Sequence, residues 1–319
     1  MKMLITGGCG FIGSNFIRYI IKKYPACEII NLDKLTYAGN PENLRDLENN
    51  PNYKFVREDI CNIKLVEKLM KDVDTVVHFA AESHVDRSII EAGVFIRTDV
   101  FGTYILLKAA NKFGVDKFVH ISTDEVYGSI EKGSFKEEGP MNPRNPYSVS
   151  KLGADRLAYS FFVTYNLPVV ITRSSNNFGP YQYPEKLLPL SITNILRNKK
   201  VPLYGDGLYV RDWLYVIDNC EAIDFLRKKG KLGEAYNVAG GNEKTNIEVI
   251  KIVLSHLGKD ESWIEFVKDR PGHDRRYSLN DEKIKKLGWK PISNFGGALR
   301  ETIDWYKKNR RWWEPLVIT

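Results

Sequence analysis

Through the first half of the chain, short apolar runs alternate with longer stretches in which apolar residues recur every three or four positions. Residues 2–6, 28–33, 53–57, 75–79, 117–122 and 169–173 are rich in β-branched side chains and bounded by Gly, Asp or Asn, so each predicts a buried strand. Residues 11–24, 63–70, 94–113 and 147–165 carry the 3.6-residue repeat of helices. Strand and helix taking turns predict an α/β fold, a doubly wound parallel sheet of the Rossmann kind.

After Ser174 the texture changes to Pro, Gly, Asn and Tyr, in NNFGPYQYPEKLLPL, VPLYGDG and DRPGHDRRY, which predicts loops and short lids. Residues 212–228 and 234–239 then read as a helix and a strand that return to the first sheet. The expected organisation is a sheet domain over 1–173 plus about 212–240, and a smaller, discontinuous region over about 174–211 plus 241–319.

With 319 residues, 43% hydrophobic and 27% charged, the chain can bury a core without disulfide or metal staples. No apolar run reaches membrane-spanning length, and the first hydrophobic stretch belongs to a glycine motif, so a soluble, cytoplasmic protein is expected. Cys9, Cys27, Cys61 and Cys220 lack ligand spacing, which suits reduced core thiols and predicts no metal site. The net charge of +7 suits an anionic ligand. Basic residues cluster only in pairs and triplets such as 199–200 and 227–229, without the aromatic-laced stripe of a nucleic-acid surface.

Thr6-Gly7-Gly8-Cys9-Gly10-Phe11-Ile12-Gly13 joins the first predicted strand to the first helix. Glycines serve where the chain turns tightly, where backbone approaches a pyrophosphate and where helix packs against strand, while the helix start offers free N–H groups. Alone, the triplet also fits a plain structural turn. Asp33 ends the second strand, where a carboxylate can accept hydrogen bonds from an adenosine ribose and repel a 2′-phosphate. NAD is therefore favoured over NADP, although Lys34 pulls the other way and a turn acid is the plainer reading of Asp33. Asp59-Ile60 can bracket an adenine or form a solvated turn. Ala80-Ala81-Glu82 places small residues where a cofactor's middle would pass.

Tyr147 and Lys151, four apart at the start of a predicted helix just after Pro146, share a face. A phenol is a poor base at neutral pH, but a nearby cation favours the phenolate. At the end of the strand over 117–122 stand Thr123, Asp124 and Glu125, a hydroxyl and two carboxyls aimed into one cleft. A helix cap or a solvated turn is the structural alternative for the acidic pair. If the pair is chemical, its two environments must differ, one carboxyl protonated and the other ionised.

The glycine loop and YxxxK resemble the extended short-chain dehydrogenase/reductase superfamily, and the chain is most similar to its dTDP-glucose 4,6-dehydratases. The likeness runs through HFAAESHVDRS (78–88), STDEVYG (122–128), YSVSK (147–151), RSSNNFGPYQYPEKLLPL (173–190), GDGLYVRDWLYV (205–216) and DRPGHDRRY (269–277). Thr-Asp-Glu at 123–125 is the mark of the dehydratases. The resemblance implies NAD held by Gly7, Gly10, Phe11, Ile12, Gly13, Asp33, Lys34, Thr36, Asp59, Ile60, Ala80, Ala81, Thr98, Tyr147, Lys151 and Asn177. Thr98 also fits a core position. It implies dTDP-glucose held by Ser83, His84, Thr123, Asn176, Lys186, Leu187, Pro202, Tyr204, Arg211, Asn246, Arg270 and His273, with Arg211 and Arg270 on the diphosphate. Surface salt bridges are the alternative for the arginines, a structural role for His84, and a local ion pair for Asp86-Arg87.

The implied chemistry is a closed redox cycle. Tyr147 takes the proton of the hexose 4-hydroxyl as C4 is oxidised by NAD, with Thr123 on the same oxygen and Lys151 supporting the phenolate. Glu125 removes the C5 proton, Asp124 protonates the departing 6-hydroxyl, and hydride returns to C6 to give dTDP-4-keto-6-deoxyglucose, of use in rhamnose or other deoxysugar biosynthesis. That Asp124 is the acid and Glu125 the base comes from the resemblance alone. A homodimer is implied through the helices over 94–113 and 147–165, whereas Trp305, Trp312 and Trp313 read as packing residues. The nearest alternatives are a UDP-glucose 4,6-dehydratase, a UDP-glucuronate decarboxylase or a 4-epimerase on the same scaffold. A sensor or RNA-binding module that had lost catalysis would show a broken site, and Thr123, Asp124, Glu125, Tyr147 and Lys151 are all intact.

Overall fold

The strands of the first half form where expected, to within a residue at their ends. The computed structural model describes residues 1–269 and 271–317. In it, β1 (Lys2–Thr6), β2 (Glu28–Asp33), β3 (Tyr53–Arg57), β4 (Thr75–His78), β5 (Lys117–Thr123) and β6 (Val169–Ser174) precede β7 (Asn176–Phe178), β8 (Val201–Tyr204) and β9 (Val210–Tyr215). Three more follow, β10 (Ala235–Val238), β11 (Glu243–Thr245) and β12 (Ile264–Val267). Seven strands make one sheet in the order β10-β6-β5-β4-β1-β2-β3, and every pairing is parallel.

Helices cover both faces, so the central strands are apolar throughout: Val76, Val77, Phe118, Val119, Val170 and Ile171 are completely buried. The register places Thr6 opposite both Leu32 and His78, which aligns the carboxyl ends of the inner strands along one edge. Strand order reverses between β1 and β4, and ligands of doubly wound sheets bind at such a switch point.

Three expectations are corrected. The single helix over 94–113 is split into Ala92–Phe95, a π-helical segment Ile96–Gly102 and Thr103–Phe113. The wider turn carries Asp99 inward, where its carboxylate accepts from the Glu82 N–H (2.8 Å) and the Ser150 hydroxyl (2.6 Å). Residues 212–215 belong to β9, paired with β7 and β11 in a separate sheet, and the returning helix starts only at Val216.

The loops expected after Ser174 contain a helix, Leu187–Leu196. Pro189 is tolerated there because it stands in the first turn, where its missing N–H has no intrahelical partner anyway. β10 does return beside β6. Near the C-terminus Trp312 and Trp313 donate to Asn43 Oδ1 and the Tyr306 carbonyl, both at 2.7 Å, and Trp313 is fully buried.

Candidate active site

A cavity of about 500 Å³ opens at the switch point. Its first half is shaped by backbone. Gly7 has φ +70°, and a Cβ there would stand 2.6 Å from the Ala80 nitrogen; one on Gly13 would stand 2.4 Å from the Gly7 carbonyl oxygen. Helix Phe11–Lys23 begins here with no acidic residue in its first turn, so its free N–H groups face the cavity uncancelled.

Asp33 accepts from the Cys9 N–H (2.9 Å) and the Leu35 N–H (2.8 Å), and burial raises its carboxyl above the usual range. Lys34, next to Asp33 in the chain, pairs with Asp59 at 2.9 Å. Burial and Asp33 push the Cys9 thiol up to about 12, so the cysteine in the loop is an inert packing group. Gly10, Phe11, Ile12, Thr36, Ile60, Ala80, Ala81, Thr98 and Asn177 complete this wall.

The reactive centre lies at the end of β5. Thr123 caps a short 3₁₀ turn, Asp124–Tyr127, so the cap reading of this segment and its place in the cavity hold together. The Thr123 hydroxyl donates to Asp124 Oδ1 (3.1 Å), and Asp124 Oδ2 is buried without a hydrogen-bond partner among the described residues. Burial first, then the neighbouring Glu125 charge, raises the Asp124 carboxyl to about 8. Glu125 is cradled instead, accepting from the Ser148 hydroxyl (2.9 Å) and Asn145 Nδ2 (3.4 Å). Two adjacent carboxyls thus stand in different environments, Asp124 buried and Glu125 hydrogen-bonded, the arrangement an acid and a base need.

Helix Pro146–Tyr165 supplies the phenol and the ammonium. Asn145 caps it through the Ser148 N–H (2.9 Å) and Pro146 opens it. Lys151 is buried, donates to the Ile121 carbonyl (2.7 Å) and has its pKa lowered by that burial. Burial first, then the Glu125 and Asp99 charges, outweigh the nearby Thr123 hydroxyl and hold the Tyr147 pKa well above that of a free phenol. The protein's own field thus keeps Tyr147 protonated.

Arg173, on β6, fixes this helix from below. Its guanidinium donates to both oxygens of Asp155 (2.9 and 3.0 Å), to Tyr127 Oη (2.6 Å) and to the Glu137 carbonyl (3.0 Å). The pair is completely buried, and removing one partner from such a pair costs about 3–5 kcal/mol.

The second half of the cavity is made of side chains. Arg211 is buried, held by the carbonyls of Val210 (2.7 Å) and Asp274 (2.9 Å), with Tyr277 under its guanidinium at 4.3 Å. Lys186 donates to the Ser83 carbonyl (2.8 Å) and Tyr204 to Asp86 (3.4 Å). His273 hydrogen-bonds Asp269 (2.7 Å) and stacks on Tyr209 at 3.8 Å. Asn176 Oδ1 and Asn246 Oδ1 are buried acceptors with no protein donor among the described residues. His84 caps helix Val85–Ile90 through the Arg87 N–H (3.4 Å) and also faces the cavity. Leu187 and Pro202 line it as well.

Of the residues expected from the sequence to form a site, all line this one cavity except Arg270, which lies outside the described residues. Sequence reasoning missed Ser175, Gln182, Tyr183, Glu185 and Tyr277 in the same wall. Tyr277 closes the DRPGHDRRY run and the other four fall within the run over 173–190, so the runs were in view and the individual side chains were not.

A parallel sheet whose switch point opens between a glycine loop and a Tyr/Lys helix is the framework of an extended short-chain dehydrogenase/reductase. Within that class, the chain belongs to the GDP-mannose 4,6 dehydratase family, whose model matches residues 4–302. A curated dTDP-glucose 4,6-dehydratase of Streptomyces antibioticus is 50% identical over 322 residues, covering 99% of this chain and 95% of the relative. The crystal structure of a dTDP-glucose 4,6-dehydratase from Streptomyces venezuelae, with NAD bound, superposes with a TM-score of 0.97 at 50% identity, covering 99% of this chain and 100% of that one. A UDP-glucose 4-epimerase from Thermotoga maritima shares the fold at a TM-score of 0.91 and 29% identity, covering 97% of this chain and 100% of the other.

Proposed function

We propose that this chain is a dTDP-glucose 4,6-dehydratase that works with NAD. The observation that carries the reading is the pair Asp124 and Glu125, one carboxyl raised to about 8 and its neighbour hydrogen-bonded by Ser148, beside Tyr147 in one cleft. The glycine cradle that a Cβ would fill, the unopposed helix start and the Asp33 carboxylate fit a dinucleotide. Bound there, NAD supplies a positive charge beside Tyr147, an acceptor for the C4 hydrogen and its return to C6.

With the positive nicotinamide beside it, Tyr147 loses its own proton to solvent and as phenolate receives the proton of the sugar 4-hydroxyl, while Thr123 holds the oxygen that becomes the ketone. Lys151, fixed on the Ile121 carbonyl, steadies the phenolate. The ketone acidifies C5–H, whose proton passes to Glu125. Asp124 gives its proton to the 6-hydroxyl, which departs as water, and Glu125 returns a proton to C5 once C6 is reduced. The proton gained by Tyr147 leaves to solvent and solvent reprotonates Asp124, so every proton is accounted for and the cycle closes without net oxidation.

Arg211 and Arg270 act on the diphosphate, and Ser83, His84, Asn176, Lys186, Leu187, Pro202, Tyr204, Asn246 and His273 line the rest of the nucleotide-sugar site. Ile89, Ile90, Val94, Ile96, Phe101, Val149 and Val163 are exposed apolar side chains on or beside the helices over 92–113 and 146–165. Such a face suits a homodimer. Free cysteines and the absence, among the described residues, of any helix long and apolar enough to cross a membrane accord with a cytoplasmic enzyme.

The test is to incubate the protein with dTDP-glucose and, separately, UDP-glucose, and weigh the sugar product. Loss of one water from dTDP-glucose alone is the expected result. Unchanged mass with a C4 epimer formed would overturn the dehydratase reading in favour of an epimerase.

A further inference from the structure

Glu185 is a half-buried residue of the cavity wall, its side chain 13% exposed, and the chemistry above gives it no task. One carboxylate oxygen accepts from Tyr37 Oη at 3.0 Å, and the other lies 3.7 Å from His84 Nε2. Burial and the Glu185 charge push the Tyr37 phenol far above its ordinary range, so it remains a donor.

Tyr37 is held on two further sides. Arg87 stands 3.5 Å above its ring, and Tyr183 meets the ring edge-on at 5.6 Å. The Tyr37 loop turns sharply at Leu35, whose left-handed φ of 58° is held by its N–H bond to the Asp33 carboxylate. Tyr37 therefore sits on the loop that starts at the cofactor carboxylate, whereas Glu185 directly precedes the sugar-side residues Lys186 and Leu187. The bond between them crosses from one half of the cavity to the other.

We propose that Tyr37 and Glu185 form a clasp that retains the cofactor through the catalytic cycle, acting as positioning residues that close the cofactor loop against the sugar loop. The proposal rests on the dehydratase reading for its purpose: between oxidation at C4 and reduction at C6 the nicotinamide is reduced, and its escape would strand a keto sugar with no hydride to complete the reaction. A charge-assisted hydrogen bond that must break before the loop lifts slows that escape.

The experiment loads full-length protein with NADH, chases it with excess NAD+ and follows the loss of bound-NADH fluorescence. Tyr37→Phe keeps the ring against Arg87 and Tyr183 and removes only the hydroxyl; Glu185→Ala removes the acceptor. Each is expected to release NADH about tenfold faster, and the double variant no faster than the faster single, because one bond is lost in all three. Release from both single variants at the parent rate would overturn the clasp, as would a parent protein that fails to hold NADH. If Glu185→Ala does not fold, Tyr37→Phe alone decides. The assay contains no sugar, so a parent that releases NADH slowly yet does not dehydrate dTDP-glucose would sink the activity and leave the clasp standing.

Discussion

The two halves of the cavity are built on different principles. The cofactor side is defined by what is missing: Gly7 and Gly13 leave room where a Cβ would collide with backbone, and the helix start leaves N–H groups unspent. The sugar side is defined by what is present, with Lys186, Tyr204, Arg211, Asn246 and His273 arriving from separate segments. Two of those side chains are pinned by partners distant in sequence, Lys186 by Ser83 and Arg211 by Asp274. A side made of vacancies tolerates almost no added atom, whereas a side made of contacts loses function piece by piece. Between them, Asp124 and Glu125 belong to neither, since their chemistry depends on a difference in burial.

The largest effect should come from adding one methyl to the cofactor side. Gly7→Ala places a Cβ 2.6 Å from the Ala80 nitrogen in a left-handed backbone, and NAD affinity should fall by about 100-fold or more in calorimetric titration. An affinity within a factor of two of the parent would break the contrast between the halves.

Asp124→Asn should sharpen the contrast from the centre. The carboxyl ionises near 3.8 when free but at about 8 in the fold, so between those values the native chain keeps a proton that the unfolded chain has released. Stability therefore declines as pH rises through that window, and Asn, which cannot ionise, should melt higher than the parent at pH 7. Turnover should fall by about 100-fold, and the alkaline decline near pH 8 should vanish from the pH–rate profile. A variant that melts lower, with the alkaline limb intact, would show that Asp124 is not the buried acid.

Much of the frame was legible in the sequence because it rests on local spacing. Alternating runs predict the sheet, glycines at fixed offsets mark the phosphate turn, and Tyr147 and Lys151 line one cavity because a helix returns every fourth residue to one face. What depends on distant partners was not legible. The π-helical segment exists because Asp99 reaches Glu82 and Ser150, and no repeat within 94–113 announces it. Arg173 resembles any strand residue until Asp155 and Tyr127 are seen around it. Tyr37 and Glu185 are joined across 148 positions. The protonated state of Asp124 follows from burial, which residue order does not state, so only resemblance pointed to it.

The most direct test of the closed cycle uses dTDP-glucose carrying deuterium at C4. The hydrogen lost from C4 is expected to reappear at C6 of the 4-keto-6-deoxy product, with Glu125→Gln halting the reaction before water leaves. Deuterium released to solvent, or retained at C4 of an epimerised sugar, would contradict the account.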